Sequence, residues 1–155
     1  MGYPELTVVS PLSLLTVGKI IPDGEKLARI QGAGDTGIDD LYKVNRPDVD
    51  YVVIEYKFIG DSNKGGSSGL IYTNDGRQGS ESWTLGSGRI EKAVGLDATR
   101  DVTTAVKTGR TETWVVTTTA NGSTEIQVLD SLGRVKSVDT SNILALKTNL
   151  SGARP

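Results

Sequence analysis

The chain has 155 residues, a formal net charge of −2 at pH 7, and hydrophobic and charged contents of 36% and 23%. This length suits one domain with its own core, residues 1–155, rather than two. Cysteine and histidine are both absent, which excludes disulfides, thiolate and histidine metal sites, and catalysis by Ser-His-Asp or Cys-His sets. Acid–base or metal chemistry must therefore use carboxylates, lysine, tyrosine or backbone groups.

The first half of the chain predicts one short helix and two strands. Asp23 is an N-cap candidate before apolar residues at helical spacing, so a helix is expected over 23–30. Strands are expected over 38–44 and 51–58, and the second is clearer because β-branched and aromatic residues dominate it. The apolar run over 12–21 contains polar interruptions and is too short to span a bilayer.

The second half predicts turns, helices and a C-terminal hairpin. The expected elements are a short strand over 70–73, helix within 80–94, a helix over 97–107, and strands over 113–119 and 123–129. Asn121 and Gly122 between the last two strands predict a hairpin with a two-residue turn of the primed type. Trp83 and Trp114 are expected in the core or sheet. This order of elements indicates an α/β or α+β sheet with helical cover.

The strand over 51–58 carries the residues with the clearest chemical potential. Because side chains alternate along a strand, Glu55 and Lys57 share one face and lie roughly 7 Å apart. If the preceding strand pairs with this one, Asp39 lies close to Glu55, and converging carboxylates repel each other unless a cation lies between them. Oxygen ligands favour Mg²⁺ or Mn²⁺. Lys57 would then orient or help deprotonate a metal-bound water, which is a metal mechanism for phosphodiester hydrolysis.

Two other classes of function fit the same residues. A Glu-x-Lys pair on an amphipathic strand is usually solvated surface, and glycine- and threonine-rich strands would suit a non-catalytic binding or adhesion module. Placement of Asp39 and Glu55 on opposite faces of the sheet would favour that module. A carboxylate-pair hydrolase acting on sugars would need the two carboxylates about 5–9.5 Å apart in a cleft. It gives Lys57 no role.

Three segments occur in order with short spacers between them. They are Thr36-Gly37-Ile38-Asp39-Asp40-Leu41-Tyr42, Tyr51-Val52-Val53-Ile54-Glu55-Tyr56-Lys57 and Thr73-Asn74-Asp75-Gly76-Arg77-Gln78-Gly79-Ser80-Glu81-Ser82-Trp83. Together they resemble the PD-(D/E)XK nuclease domains at the C-termini of bacterial polymorphic and contact-dependent growth inhibition toxins. The resemblance covers about residues 20–95. The helix and hairpin within 96–155 match no motif of that family and would be an extension that helps select substrate.

The resemblance implies a fold and a set of site residues. The fold would be a PD-(D/E)XK-like central mixed β-sheet flanked by helices, with the hairpin at its C-terminal end. Asp39, Glu55 and Lys57 would form the catalytic set, with Asp39 and Glu55 as metal ligands. Glu25, on the first helix, would join the metal shell or simply complement the helix dipole. The residues expected to contact substrate are Gln78, Ser80 and Arg77.

The resemblance also implies a biological role. The domain would be an antibacterial toxin endonuclease using Mg²⁺ or Mn²⁺, with Zn²⁺ as a further candidate and DNA slightly favoured over tRNA. Its partner would be a cognate immunity protein. A secreted or cell-surface bacterial protein would deliver it into the target-cell cytoplasm, and the isolated domain would bind no membrane. Family members often have Met after the motif Gln, where this chain has Gly79, so different local packing is expected there.

Overall fold

The structure is a computed structural model that describes residues 21, 24–27, 37–59 and 66–136. Its strands are β1 (Glu25–Lys26), β2 (Asp40–Lys43), β3 (Tyr51–Ile59), β4 (Tyr72–Thr73), β5 (Gly76–Arg77), β6 (Thr111–Thr119) and β7 (Thr124–Leu129). Its helices are α1 (Glu81–Leu85), α2 (Arg89–Val94) and α3 (Leu96–Lys107). The apolar run over 12–21 lies outside the described residues apart from Ile21. No helix in the described ranges is long and apolar enough to cross a membrane.

A five-stranded mixed sheet forms the centre of the fold, in the order β1-β2-β3-β6-β7. The central pair, β3 and β6, is parallel, and the other three pairs are antiparallel. The small β4–β5 hairpin and the three helices lie between β3 and β6 in sequence. Such a connection is required because parallel neighbours cannot be joined by a tight turn. The predicted α/β class with helical cover is therefore confirmed.

Both faces of the sheet are buried, as expected for a sheet with a parallel centre. On one face β2 and β3 pack against the helices, and the shared core includes Leu41, Val53, Trp83, Ala93 and Val102. On the opposite face the core includes Tyr42, Val52, Ile54, Trp114 and Val128. Both tryptophans are therefore core residues, as predicted. Glu55 lies on the helix-facing side, two residues beyond Val53 and level with Val115 of β6.

Most of the predicted strands and helices are confirmed, with shifted ends. The strand over 51–58 is β3, the strand over 38–44 is reduced to β2, and the helix over 97–107 is α3. The helical region within 80–94 divides into α1 and α2. Ser87 and Gly88 cause the division, because their φ angles of 55° and 68° are left-handed and cannot continue a right-handed helix.

The helix predicted over 23–30 is wrong where the structure describes it. Glu25 and Lys26 form a strand that pairs with β2, and the Leu27 N–H donates to the Leu41 carbonyl at 2.8 Å. Residues 28–30 lie outside the described part of the chain. A helix this short is marginal by itself, so the backbone hydrogen bonds offered by the edge of β2 outweigh its local preference.

The C-terminal hairpin is confirmed, but its turn is not the predicted one. Thr119 and Ser123 close the loop, with the Thr119 N–H donating to the Ser123 carbonyl at 2.9 Å, so three residues, 120–122, connect the strands. Gly122 has φ +89°, whereas Asn121 lacks the positive φ that a primed turn requires. A type I turn followed by a left-handed glycine is the usual three-residue solution.

Candidate active site

The three residues predicted to be catalytic lie together beside β3. Glu55 is fully buried and Lys57 is half-buried, two positions further along the same face. Asp40 pairs with Ile54, so Asp39 continues the register opposite Glu55. The Asp39 carboxylate accepts a hydrogen bond from the Tyr56 N–H at 2.8 Å. The opposite-face placement that would favour a binding module is not found.

Gln78 connects two of these residues. Its Nε2 donates to Glu55 Oε1 at 2.7 Å, and its Oε1 accepts from Lys57 Nζ at 3.3 Å. The side chain is positioned by the β4–β5 hairpin, since the Gln78 N–H donates to the Ile71 carbonyl at 2.8 Å. Motif resemblance placed Gln78 near the site. No local pattern indicated that it would bridge the acid and the lysine.

Glu55 is in an environment that opposes its ionisation. Burial is the largest cause, and together with repulsion from Asp39 it raises the pKa of Glu55 to about 8. Hydrogen bonds from the Gln78 amide and the Asp39 backbone, and the charge of Lys57, lower that pKa but do not offset the burial. The second carboxylate oxygen, Oε2, is buried and has no hydrogen-bond partner among the described residues.

Asp39 lies at the solvent-exposed edge of the site. Loss of hydration against β3 nevertheless raises its pKa, and the Tyr56 N–H and the Lys57 charge counteract this only partly. Two neighbouring carboxylates that both resist ionisation are typical of a place where a cation would relieve their crowding. The Oε2 atom of Glu55, which has no hydrogen-bond partner among the described residues, is available as a ligand for such an ion.

The two carboxylates of Asp39 and Glu55, as metal ligands, fit Mg²⁺ or Mn²⁺ better than Zn²⁺. Within the described ranges, no group of three or more acidic, histidine or cysteine side chains is placed to hold a metal. Mg²⁺ commonly keeps several water ligands and binds proteins through one or two carboxylates, so Asp39 and Glu55 suffice. Catalytic Zn²⁺ normally takes three protein ligands, most often including histidine or cysteine, and the pair does not fit it.

Glu25 does not belong to this group. It pairs with Lys43 at the far end of β2, four residues from Asp39, or about 13 Å at the rise of a strand. Its charge contributes instead to raising the pKa of Tyr51, after burial, Asp101 and Asp50. The expectation of a third metal ligand rested on a helix at this position, and the strand found there removes it.

Ser80 and Arg77, expected to contact substrate, have structural contacts. Ser80 is buried and caps α1, its hydroxyl accepting from the Trp83 N–H at 3.2 Å. Arg77 donates through Nε to the Gly133 carbonyl at 2.7 Å and through Nη2 to the Ser67 carbonyl at 2.8 Å. These contacts fix the loops around the β4–β5 hairpin.

Two motif residues, Asp75 and Trp83, form with Arg89 an anchor that the sequence did not indicate. Asp75 accepts from Arg89 Nη1 at 2.8 Å, and the Arg89 guanidinium lies 4.5 Å from the centre of the Trp83 ring. Arg89 also donates to the Trp83 carbonyl at 2.7 Å. The anchor joins the hairpin to α1 and α2, so the spacing between Asp75 and Trp83 serves the placement of Gln78 rather than chemistry.

The two consecutive aspartates of the first motif have different environments. Asp40 points to the face opposite Asp39, is almost fully buried, and accepts from the Tyr56 hydroxyl at 2.9 Å. Lys26 lies 3.5 Å from the same carboxylate oxygen. Because side chains alternate along the strand, Asp40 contacts Tyr56 and Lys26 on one face, and Asp39 lies at the candidate site on the other.

The sequence matches no family model and no curated protein, and no solved structure matches the fold.

Gly79, which follows the bridging glutamine, is required by its surroundings. Its φ is +88°, and a Cβ there would lie 2.6 Å from Leu129 Cδ1. We expect Gly79→Ala to lower the free energy of unfolding by about 2–5 kcal/mol, since the left-handed backbone costs about 1–2 kcal/mol and crowding about 1–3 kcal/mol. Urea denaturation measures this loss.

Gly88→Ala is the matched control for that substitution. Gly88 also has a left-handed φ, +68°, but a Cβ there meets nothing within 4 Å. Gly88→Ala should therefore lower the free energy of unfolding only by the cost of the left-handed backbone. Equal losses for Gly79→Ala and Gly88→Ala would mean that Leu129 moves aside freely and that packing does not select glycine after Gln78.

Proposed function

We propose that this domain is a metal-dependent endonuclease of the PD-(D/E)XK type, which hydrolyses phosphodiester bonds with Mg²⁺ or Mn²⁺. The observation that carries the proposal is the convergence of Asp39, Glu55 and Lys57 on one face of the β2–β3 pair, with Gln78 linking the last two. The mixed five-stranded sheet with helices is compatible with that fold type. A carboxylate-pair sugar hydrolase would leave Lys57 without a role.

Each residue of the group has a distinct task in this chemistry. Asp39 and Glu55 would hold the ion, which when bound polarises a phosphate oxygen and lowers the pKa of a water ligand. Lys57 supplies positive charge beside the carboxylates, where it stabilises charge that develops on the phosphate and orients the attacking water. Gln78 holds Lys57 against Glu55 and thereby limits the freedom of the long lysine side chain.

The motif resemblance extends the proposal to a biological role. The domain would act as an antibacterial toxin delivered into the target-cell cytoplasm from a secreted or cell-surface protein, and a cognate immunity protein would neutralise it. DNA is slightly favoured over tRNA as substrate. Expression of the domain without the immunity protein should therefore arrest bacterial growth.

Cleavage assays with two substrates and several ions test the activity. Plasmid DNA and total tRNA are incubated with purified protein and Mg²⁺, Mn²⁺, Zn²⁺ or EDTA. We expect cleavage with Mg²⁺ and Mn²⁺, little with Zn²⁺ because the donor set lacks nitrogen and sulfur, and none with EDTA. Failure to cleave either nucleic acid with any ion would replace this proposal with the binding-module interpretation.

Lys57→Ala should reduce the rate of cleavage by roughly 10²–10³, the effect of deleting one electrostatic stabiliser of a transition state. Single-turnover rates on the preferred substrate measure it. Lys43→Ala is the control, because Lys43 is an exposed lysine of β2 at the end away from Asp39. If both variants retain wild-type rates, Lys57 has no part in the reaction.

A further inference from the structure

An open groove of about 460 Å³ lies along the β4–β5 hairpin and the loop that follows β7. Two large apolar side chains border it, with Tyr72 74% and Leu132 60% exposed. Arg77 and Arg134 also line it, opposed by the single carboxylate of Glu81. The volume falls in the range of small-molecule and fragment sites. Among the lining residues two guanidinium groups face one carboxylate, whereas the whole chain has a net charge of −2.

Tyr72 is held in place although most of its ring is open to solvent. The Arg77 guanidinium lies 5.5 Å from the ring centre, in cation–π range. Arg77 is itself fixed by hydrogen bonds to the Gly133 and Ser67 carbonyls. A ring anchored on one side loses little conformational freedom when a planar ligand covers the other side.

The loop carrying Leu132 and Arg134 is held by backbone hydrogen bonds to one side chain. Asp130 accepts hydrogen bonds from the backbone N–H groups of both residues, at 2.9 and 3.0 Å. Both bonds go to Oδ1 of Asp130, and they lower the pKa of this carboxyl together with the nearby charge of Arg134. The Arg134 side chain is exposed at the groove.

The groove shares no lining residue with the candidate active site but lies close to it. The Ile71 N–H lies 3.4 Å from Gln78 Oε1, which lies 3.3 Å from Lys57 Nζ. Adding the backbone distance from Ile71 N to the Tyr72 Cα places that Cα within about 12 Å of Lys57 Nζ. A stacked strand rises about 3.4 Å per nucleotide, so the Tyr72 backbone lies about three to four nucleotides or fewer from Lys57.

We propose that this groove binds an unpaired nucleotide of the substrate strand, with its base stacked on Tyr72 and its phosphate near Arg134. The inference rests on the proposed nuclease function and specifies its substrate: single-stranded regions, loops or ends of DNA or RNA. Stacking on an exposed aromatic ring needs an unpaired base, because a duplex buries the base faces. Leu132 offers an apolar edge for the same base.

Binding without cleavage tests the groove. Fluorescence anisotropy in EDTA measures the affinity of wild-type protein for short labelled single-stranded DNA, single-stranded RNA and duplex DNA. We expect the single strands to bind more tightly than the duplex, and Tyr72→Ala to weaken single-strand binding about ten-fold, within the range for loss of one base stack. Tyr72→Phe keeps the ring and should bind as wild type. Comparing the affinities for single-stranded DNA and single-stranded RNA identifies the preferred sugar.

Leu96→Ala is the matched control, because Leu96 is 74% exposed at the start of α3 and does not line the groove. Equal affinities for Tyr72→Ala and Leu96→Ala, tighter binding of the duplex, or no binding by wild type would each overturn the inference. Metal-dependent cleavage by wild type is scored separately, so the groove can fail while the nuclease proposal stands. Retained binding without any cleavage would sink the nuclease proposal alone.

Discussion

Asp39→Ala is expected to reduce metal-dependent cleavage to the background rate and to abolish toxicity in bacteria. Asp39 is the solvent-facing carboxylate of the pair, and without it Glu55 alone remains to hold the ion. Substrate turnover under saturating Mg²⁺ or Mn²⁺ and growth after induced expression measure the two effects. Retained cleavage with metal and retained toxicity in this variant would end the nuclease assignment.

Two companion variants separate charge from structure. Asp39 also accepts the Tyr56 N–H at 2.8 Å, so alanine removes a backbone contact as well as a charge. Asp39→Asn keeps an acceptor oxygen for that contact but loses the charge, and it should be nearly as inactive. Asp101→Ala removes an exposed aspartate from α3 and should cleave as wild type. Wild-type activity in Asp39→Asn would indicate that the alanine variant fails through local misfolding.

Glu55 should make the metal-free protein less stable as the pH rises from about 5 to 8. Its folded-state pKa, about 8, lies above the ordinary value of 4.5 for a glutamate, so between these values the folded state binds more protons than the unfolded state. The free energy of unfolding then falls with pH, at up to about 1.4 kcal/mol per unit for one proton. Asp39 adds to this in the same direction, because its pKa is also raised.

Glu55→Gln should remove most of the fall in the free energy of unfolding with pH, and it should stabilise the metal-free protein near pH 8. The same variant should lose nearly all cleavage. Urea unfolding of both proteins across this pH range in EDTA gives the comparison. The difference between them isolates Glu55, because the other carboxylates with shifted pKa values are present in both proteins. Those with raised pKa values are Asp39 and Asp40, and those with lowered pKa values are Asp50, Asp75 and Asp130. Mg²⁺ should stabilise wild type but not the variant at pH 8. If the free energy of unfolding changes with pH in the same way in wild type and Glu55→Gln, folding does not oppose the ionisation of Glu55.

The sequence by itself determined the elements with strong local patterns. The β-branched run of β3 and the segment of α3 predicted structure correctly, because each depends on neighbours close in the chain. The Asn-Gly pair predicted the last hairpin but not its three-residue turn. Strand alternation also placed Glu55 and Lys57 on one face before any fold was known. The absence of histidine and cysteine limited the chemistry to carboxylates and lysine.

Only the tertiary structure decided the features that depend on register and distant contacts. Pairing with β2 converted the expected helix around Glu25 into a strand and moved that carboxylate away from Asp39. The bridge from Gln78 to Glu55 spans 23 residues of sequence, and the groove at Tyr72 joins loops still further apart. Such contacts arise from how the sheet and hairpin pack, because local periodicity carries no information about which residues meet across the fold.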